Sequence, residues 1–168
     1  KQDFLSFVKC VWPDFVEGSH HRHIADKFNK LATGEINRLI INMPPRHTKS
    51  EFASYLLPAW MVGREPKLKI IQATHTAELA IRFGRKAKNL IDREDYTKIF
   101  KTTLQEDSKA AGRWETAQGG EYFAAGVGGA ITGRGADLLI IDDPHSEQDA
   151  MSKTALESAY EWYTSGPR

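Results

Sequence analysis

One cysteine, Cys10, stands in 168 residues, which excludes an internal disulfide and any zinc site built on cysteine pairs. A single thiol suits a reducing compartment. Nowhere does an apolar run approach the roughly 20 residues needed to cross a bilayer, so no membrane association is expected. Lys1 to Val16 mixes polar and aromatic side chains and lacks the basic-then-apolar order of a signal peptide. Charge of one sign is missing too: 23 Lys and Arg face 22 Asp and Glu, a formal charge of +1. That balance neither favours nor excludes nucleic acid, because a basic patch can be local. Internal repeats, low-complexity tracts and linkers are also absent. The chain opens without Met and stops at Ser165-Gly166-Pro167-Arg168 after a helix-like segment, so it reads as a piece of a longer protein.

What is present is the make-up of one globular domain: 40% hydrophobic and 27% charged residues, with enough length for a real core. Strand-length apolar runs alternate with helix-length segments, the mark of an α/β fold. His20 to Leu31 carries Ile24, Phe28 and Leu31 at helical spacing and is closed by Gly34. Arg38 to Met43 reads as a short buried strand, ended by Pro44 and Pro45, which cannot donate to a ladder. A helix from Lys49 to Met61 follows, stopped by Gly63 and Pro66. Leu68 to Thr74 is the next strand and Ala77 to Ile91 the next helix. That helix has Leu79, Phe83, Ala87, Leu90 and Ile91 on one face and Arg82, Arg85, Lys86 and Lys88 largely off it. Between Tyr96 and Gly112 the pattern is weak. Trp114 to Ala125, broken by Gly119-Gly120, predicts a hairpin or two short strands. Glycine-rich Gly126 to Gly135 leads into Asp137 to Asp142, a fully buried strand ending in acid. Ser146 is placed to cap a helix from Glu147 to Tyr163.

Met43-Pro-Pro-Arg-His-Thr-Lys49-Ser50 lies between a strand and a helix start. A phosphate loop needs converging backbone N–H groups, a lysine over the β/γ phosphates and a hydroxyl for Mg²⁺. Lys49 and Ser50 occupy the last two positions, with Pro45, Arg46, His47, Thr48 and Glu51 around them as candidate nucleotide contacts. Glycine usually stands where this chain has Met43 and Thr48. If position 48 requires a positive φ, threonine is costly there. The plain alternative is a strand-to-helix turn with an exposed lysine and a capping serine. Farther along, Leu138-Leu-Ile-Ile-Asp142-Asp143 supplies two carboxylates at a strand end. The first suits Mg²⁺ and the second suits polarising a water, although a polar strand end before an Asp-Pro turn is common. A βα unit separates the two motifs. Together they predict a nucleotide site at the carboxyl edge of a mainly parallel sheet. The expected class is a RecA-like P-loop NTPase with three layers, holding ATP and Mg²⁺.

Pro-Pro-Arg-His-x-Lys-Ser-Glu, then Ala-Thr-His-Thr-Ala-Glu-Leu-Ala, then Thr-Gly-Arg-Gly-Ala-Asp-Leu-Leu-Ile-Ile-Asp-Asp-Pro, resembles the large terminase subunit of tailed bacteriophages, in order and from about His20 to Arg168. The resemblance implies an ATPase domain over residues 1–168, cut before the strand of the coupling motif and before a C-terminal nuclease domain. It implies translocation of double-stranded DNA into a procapsid in the host cytoplasm. The implied partners are a portal protein, a small terminase subunit and further copies of the chain, in a pentameric ring when packaging and a monomer when isolated. By the same resemblance Ser50 and Asp142 would serve Mg²⁺, and Asp143 would be the catalytic carboxylate where many relatives have Glu. Arg134 would be a finger reaching a neighbouring subunit, and Arg46 a loop sensor or a finger in cis.

Weaker signals remain open. His20, His21 and His23 lack suitably spaced partners for a metal and read as a helix-start cluster. His21 or Trp12 is a candidate to border the adenine. Gly126-Val-Gly-Gly is not followed by a helix, so it fails as a dinucleotide loop. Arg82, Arg85, Lys86 and Lys88 read as a solvated face or as contacts to DNA phosphates. Two competing functions stand beside DNA packaging: a helicase-like or recombination ATPase, and an ATP-binding assembly module that does not hydrolyse.

Overall fold

The strand at Lys69–Thr74 (β1) is buried at every position after the first, as its unbroken apolar run requires of a central parallel strand. In the computed structural model, which describes residues 3–108, 110–131 and 133–166, three more strands join it. They are β2 (Arg113–Glu115), β3 (Glu121–Gly126) and β4 (Leu138–Ile141). The sheet order is β2-β3-β1-β4. β1 runs parallel to both β3 and β4, and β2 is antiparallel to β3. The expected hairpin is present: Gly119 takes φ 93° in its turn, a conformation that favours glycine. Trp114 faces Tyr122 across it with rings stacked at 4.9 Å. The result is an α/β fold on a mixed, mostly parallel sheet. Pro167, Arg168 and Thr132 of the quoted motifs, and the ends of the 1–168 domain span, lie outside the described residues.

Six helices surround the sheet among the described residues. They are α1 (Phe4–Val11), α2 (Ser19–Ala32), α3 (Leu57–Arg64), α4 (Ala77–Ile91), α5 (Glu94–Ile99) and α6 (Lys153–Ser165). α2 ends at Gly34, φ 74°, with the Glu35 N–H bonded to Lys30 O, which is a Schellman closure. α4 has the bounds expected of it, capped by Thr76. The helix after the loop runs from 49 to 64, and its Glu51–Leu56 stretch is π-helical. Pro58 accounts for the widening, since its ring would collide with the carbonyl of Ser54 and it offers no N–H.

Helices α1 to α5 cover one face of the sheet. At the centre of that layer Phe4 meets Phe28, Phe52 and Trp60 edge-on, with centroids 4.9, 5.4 and 5.4 Å away. α1 escaped the sequence reading, yet Phe4, Phe7, Val8 and Val11 are all buried. Phe4→Ala is expected to cost about 3–5 kcal/mol of unfolding free energy by cavity formation. Urea unfolding checks this, and a loss under about 1 kcal/mol would place Phe4 outside the core. The other face is thinly covered. Ile71, Ala125 and Ile131 meet Phe123, Leu139 and Trp162 there, and α6 buries no residue of its own. The third layer expected of the fold is therefore slight.

Three expectations need correction. Residues 38–43 form no strand; Leu39, Ile41 and Met43 pack on the core while Ile40 is 87% exposed. The alternation is that of an extended segment with one face inward, but no ladder partner flanks it among the described residues. β4 is an edge strand rather than a fully buried one, and its Ile141 is exposed. Ser146 does not open the last long helix. Its hydroxyl accepts the Asp149 N–H at 3.1 Å over a short 3-10 turn, Asp149–Met151, and Ser152 then caps α6. No helix among the described residues is long and apolar enough to cross a membrane.

Candidate functional site

Residues 44–48 carry the chain from the extended segment into the helix at 49–64. Among the described residues, the non-glycine positions with positive φ are Arg46 (63°), Thr48 (63°) and Asp143 (44°). Two belong to this loop and the third to the strand end beside it. Left-handed backbone costs an L-residue roughly 1–2 kcal/mol, and such strain gathers where a site imposes it. The position usually held by glycine does take positive φ here, so Thr48 follows the loop path instead of avoiding it.

Lys49 reaches from the helix start to the acids at the end of β4. Its Nζ lies 2.6 Å from Asp143 Oδ1 and 3.6 Å from Asp142 Oδ1. Burial lowers the affinity of Lys49 for its proton, but the hydrogen bond to Asp143 and the charges of Asp142 and Asp143 outweigh it, so its pKa is raised. Asp142 is 7% exposed, whereas the Asp143 side chain is 61% exposed. The Asp142 N–H bonds to Ala73 O at 2.9 Å, and the His75 N–H to Asp143 O at 3.1 Å. The end of β1 thereby fixes both acids. Ser54 Oγ donates to Asp142 Oδ2 at 2.8 Å and accepts from Gln72 Nε2 at 3.2 Å. Asp142 is thus oriented from inside the fold.

Sequence reasoning overlooked Ser54, Gln72 and His75. Ser54 falls four residues after Ser50, on the same helix face. Gln72 is the polar residue inside an otherwise apolar strand, and its Oε1 is buried without a hydrogen-bond partner among the described residues. Ser54→Ala removes the donor to Asp142 and is expected to cost about 1–3 kcal/mol of stability, read by urea unfolding. No change would show that Asp142 needs no internal anchor.

The other expected site residues are dispersed. Pro45 O contacts His47 Nδ1 at 2.9 Å, tying the loop to itself. Arg46 is exposed, and Ser50 is half-buried without capping the helix. Glu51 pairs with Lys86 at 2.7 Å. Lys88 Nζ bonds to Ser108 O, while Arg82, Arg85 and the Glu51-paired Lys86 are exposed on that face. Arg134 bonds to Glu121 at 2.8 Å and lies over the Phe123 ring. Glu121 stands opposite Lys69 in the strand register, at the start of β1. Arg134 therefore sits at the sheet edge opposite the acids and cannot meet Lys49 in its own chain.

His21 is 5% exposed. Its Nδ1 accepts the Gly18 N–H at 2.8 Å, and its Nε2 lies 2.7 Å from Thr48 Oγ1. Burial first, then the neighbouring His20, depress its pKa below the ordinary 6.5, against a weaker opposite pull from Glu17. The folded chain thus binds this proton less readily than the unfolded one. Its contribution to stability is whole above pH of about 6.5 and is lost as pH falls through the depressed value. Melting temperatures at decreasing pH are expected to fall more for the native chain than for His21→Asn. Equal falls would remove His21 as the cause.

No cluster of three His, Cys, Asp or Glu residues suited to a metal occurs among the described residues. A Mg²⁺ brought in by phosphates does not need one, because it keeps waters and takes only one or two protein ligands.

The chain is similar to the large terminase subunit of Enterobacteria phage T3, with 25% identity over 164 residues. The match covers 95% of this chain but spans only 28% of that relative's length. No family model matches the chain, and no solved structure matches it. The likeness to large terminase subunits read from the sequence motifs is borne out by that relative.

Proposed function

We propose that the chain is a RecA-like P-loop NTPase domain that binds ATP with Mg²⁺ and hydrolyses it to drive double-stranded DNA into a procapsid. The observation that carries this reading is the meeting of Lys49 with Asp142 and with Asp143, the latter 94 positions away in sequence, at the carboxyl ends of parallel strands and beside a strained loop. Open α/β sheets bind ligands at that edge. The name of the phage T3 relative supports the packaging role.

The backbone N–H groups of residues 47–50 stand at a helix start, where they and the helix dipole receive phosphate oxygens. Positive φ at Arg46 and at Thr48 bends the loop as backbone anion nests are bent. Lys49 would exchange Asp143 for the β and γ oxygens. Ser50 and Asp142 would hold Mg²⁺, Asp142 through water, with Ser54 fixing the carboxylate. Bound Mg²⁺ would neutralise charge between the β and γ phosphates. Asp143, released by Lys49, would take the proton of the attacking water. Arg46 would meet the γ phosphate within the chain, and Arg134 only that of a neighbouring copy in a ring. Portal protein, small terminase subunit and DNA would be the partners of the longer protein.

Calorimetric titration of the chain with MgATP tests the reading. Binding that requires Mg²⁺, with ATP turnover, is expected. Absence of binding overturns the reading, and binding without turnover favours a non-hydrolysing assembly module.

A further inference from the structure

We propose that His21 is a positioning residue for the phosphate loop: with Thr48 it forms a latch that holds the loop in its strained shape where other such loops use glycine. The inference rests on the nucleotide-binding reading above. A glycine at this position tolerates positive φ without help. Thr48 takes φ 63° with a branched side chain, and the side chain that makes this conformation costly also carries the hydroxyl that is gripped.

The polarity of the latch follows from its donors. A backbone N–H can only donate, so His21 Nδ1 is the acceptor of the Gly18 N–H. The neutral ring then carries its proton on Nε2, which donates to Thr48 Oγ1 at 2.7 Å. The Thr48 hydroxyl keeps its own proton and passes it to His47 O at 2.5 Å. One directed line of hydrogen bonds thus joins the first turn of α2 to the loop. The ring cannot turn away, since it is buried between Phe15 and Phe52, with centroids 4.8 and 5.0 Å distant. Phe52 belongs to the helix that the loop enters, so one imidazole couples α2, the loop and that helix. With both nitrogens engaged, its polar edge is not offered to an adenine. The expectation that placed His21 at the nucleotide becomes a role one shell removed.

A double-mutant cycle of His21→Asn and Thr48→Gly in the full chain tests the latch, read by MgATP titration and by thermal unfolding. Asparagine retains an acceptor for Gly18 but is too short to reach Thr48. Loss of the latch hydrogen bond is expected to weaken MgATP binding about fivefold beside Thr48 and less than about twofold in the Thr48→Gly background. His21→Gln, which extends a donor toward Thr48, is expected to restore most of the loss. The same coupling is expected in melting temperature without nucleotide. Additive losses in melting temperature show that His21 acts by packing alone and overturn the latch. Coupling in melting temperature with none in binding, where the native chain binds, overturns the positioning role. Coupling in melting temperature while the native chain binds no MgATP sinks the nucleotide reading and leaves the latch standing.

Discussion

Lys49→Ala is expected to weaken MgATP binding by at least about 100-fold, because hydrogen bonds to charged groups contribute roughly 1.5–3 kcal/mol each and this ammonium would serve two phosphates. Stability is expected to change much less. The partner Asp143 is largely exposed, and exposed ion pairs contribute about 0–1 kcal/mol. Asp142 loses its nearest cation but keeps the Ser54 hydroxyl. Calorimetric titration beside a thermal melt separates the two effects. A folded Lys49→Ala chain that binds MgATP as tightly as the native one would refute the site. Lys49→Arg is expected to weaken binding as well, since a planar guanidinium does not reproduce the compact point charge of an ammonium. The raised pKa of Lys49 keeps the ammonium charged at neutral pH. Its stabilising contribution disappears only as pH rises through that raised value, well into the alkaline range.

How much of this was legible in the sequence depends on whether a feature was local. α4 and the β2–β3 hairpin are written in periodicity and in glycine placement. Both appear where expected because their hydrogen bonds close within the segment or between neighbours. Residues 38–43 have a strand's composition, but a strand also requires an adjacent edge, which no pattern in the segment encodes. β4 reads as buried from Leu138-Leu-Ile-Ile alone, yet position at the sheet edge decides exposure. The meeting of Lys49 with Asp142 and Asp143 was inferred from paired motifs and is a geometric fact of the fold. Arg134, expected as a finger toward a neighbouring subunit, lies four residues before the start of β4 and so a whole strand length from the acids at its end. The Ser54–Gln72 support was missed for a different reason: a buried polar residue inside an apolar run is a signal only once its partner is known.

Asp143 distinguishes an ATP-hydrolysing site from an ATP-holding one, and Asp143→Asn is the variant that makes the distinction cleanly. The residue sits at φ 44°, which asparagine tolerates better than alanine, so the backbone that aims it is preserved. Its carboxylate is the group Lys49 holds in this structure, at 2.6 Å, and on the proposed reading an incoming phosphate would displace it. Neutralising that competitor leaves the ammonium freer, so MgATP affinity is expected to stay equal or to rise a few-fold. ATP turnover is expected to fall by about 10²–10⁴, the usual contribution of a positioned general base. The two effects have opposite signs, and unfolding cannot produce both. An Asp143→Asn protein with native turnover would move the base elsewhere, and one with lost affinity would make Asp143 a binding group. On the proposed reading the buried, anchored Asp142 carboxylate would keep its place, whereas the exposed Asp143 carboxylate would exchange Lys49 for water when phosphate arrives.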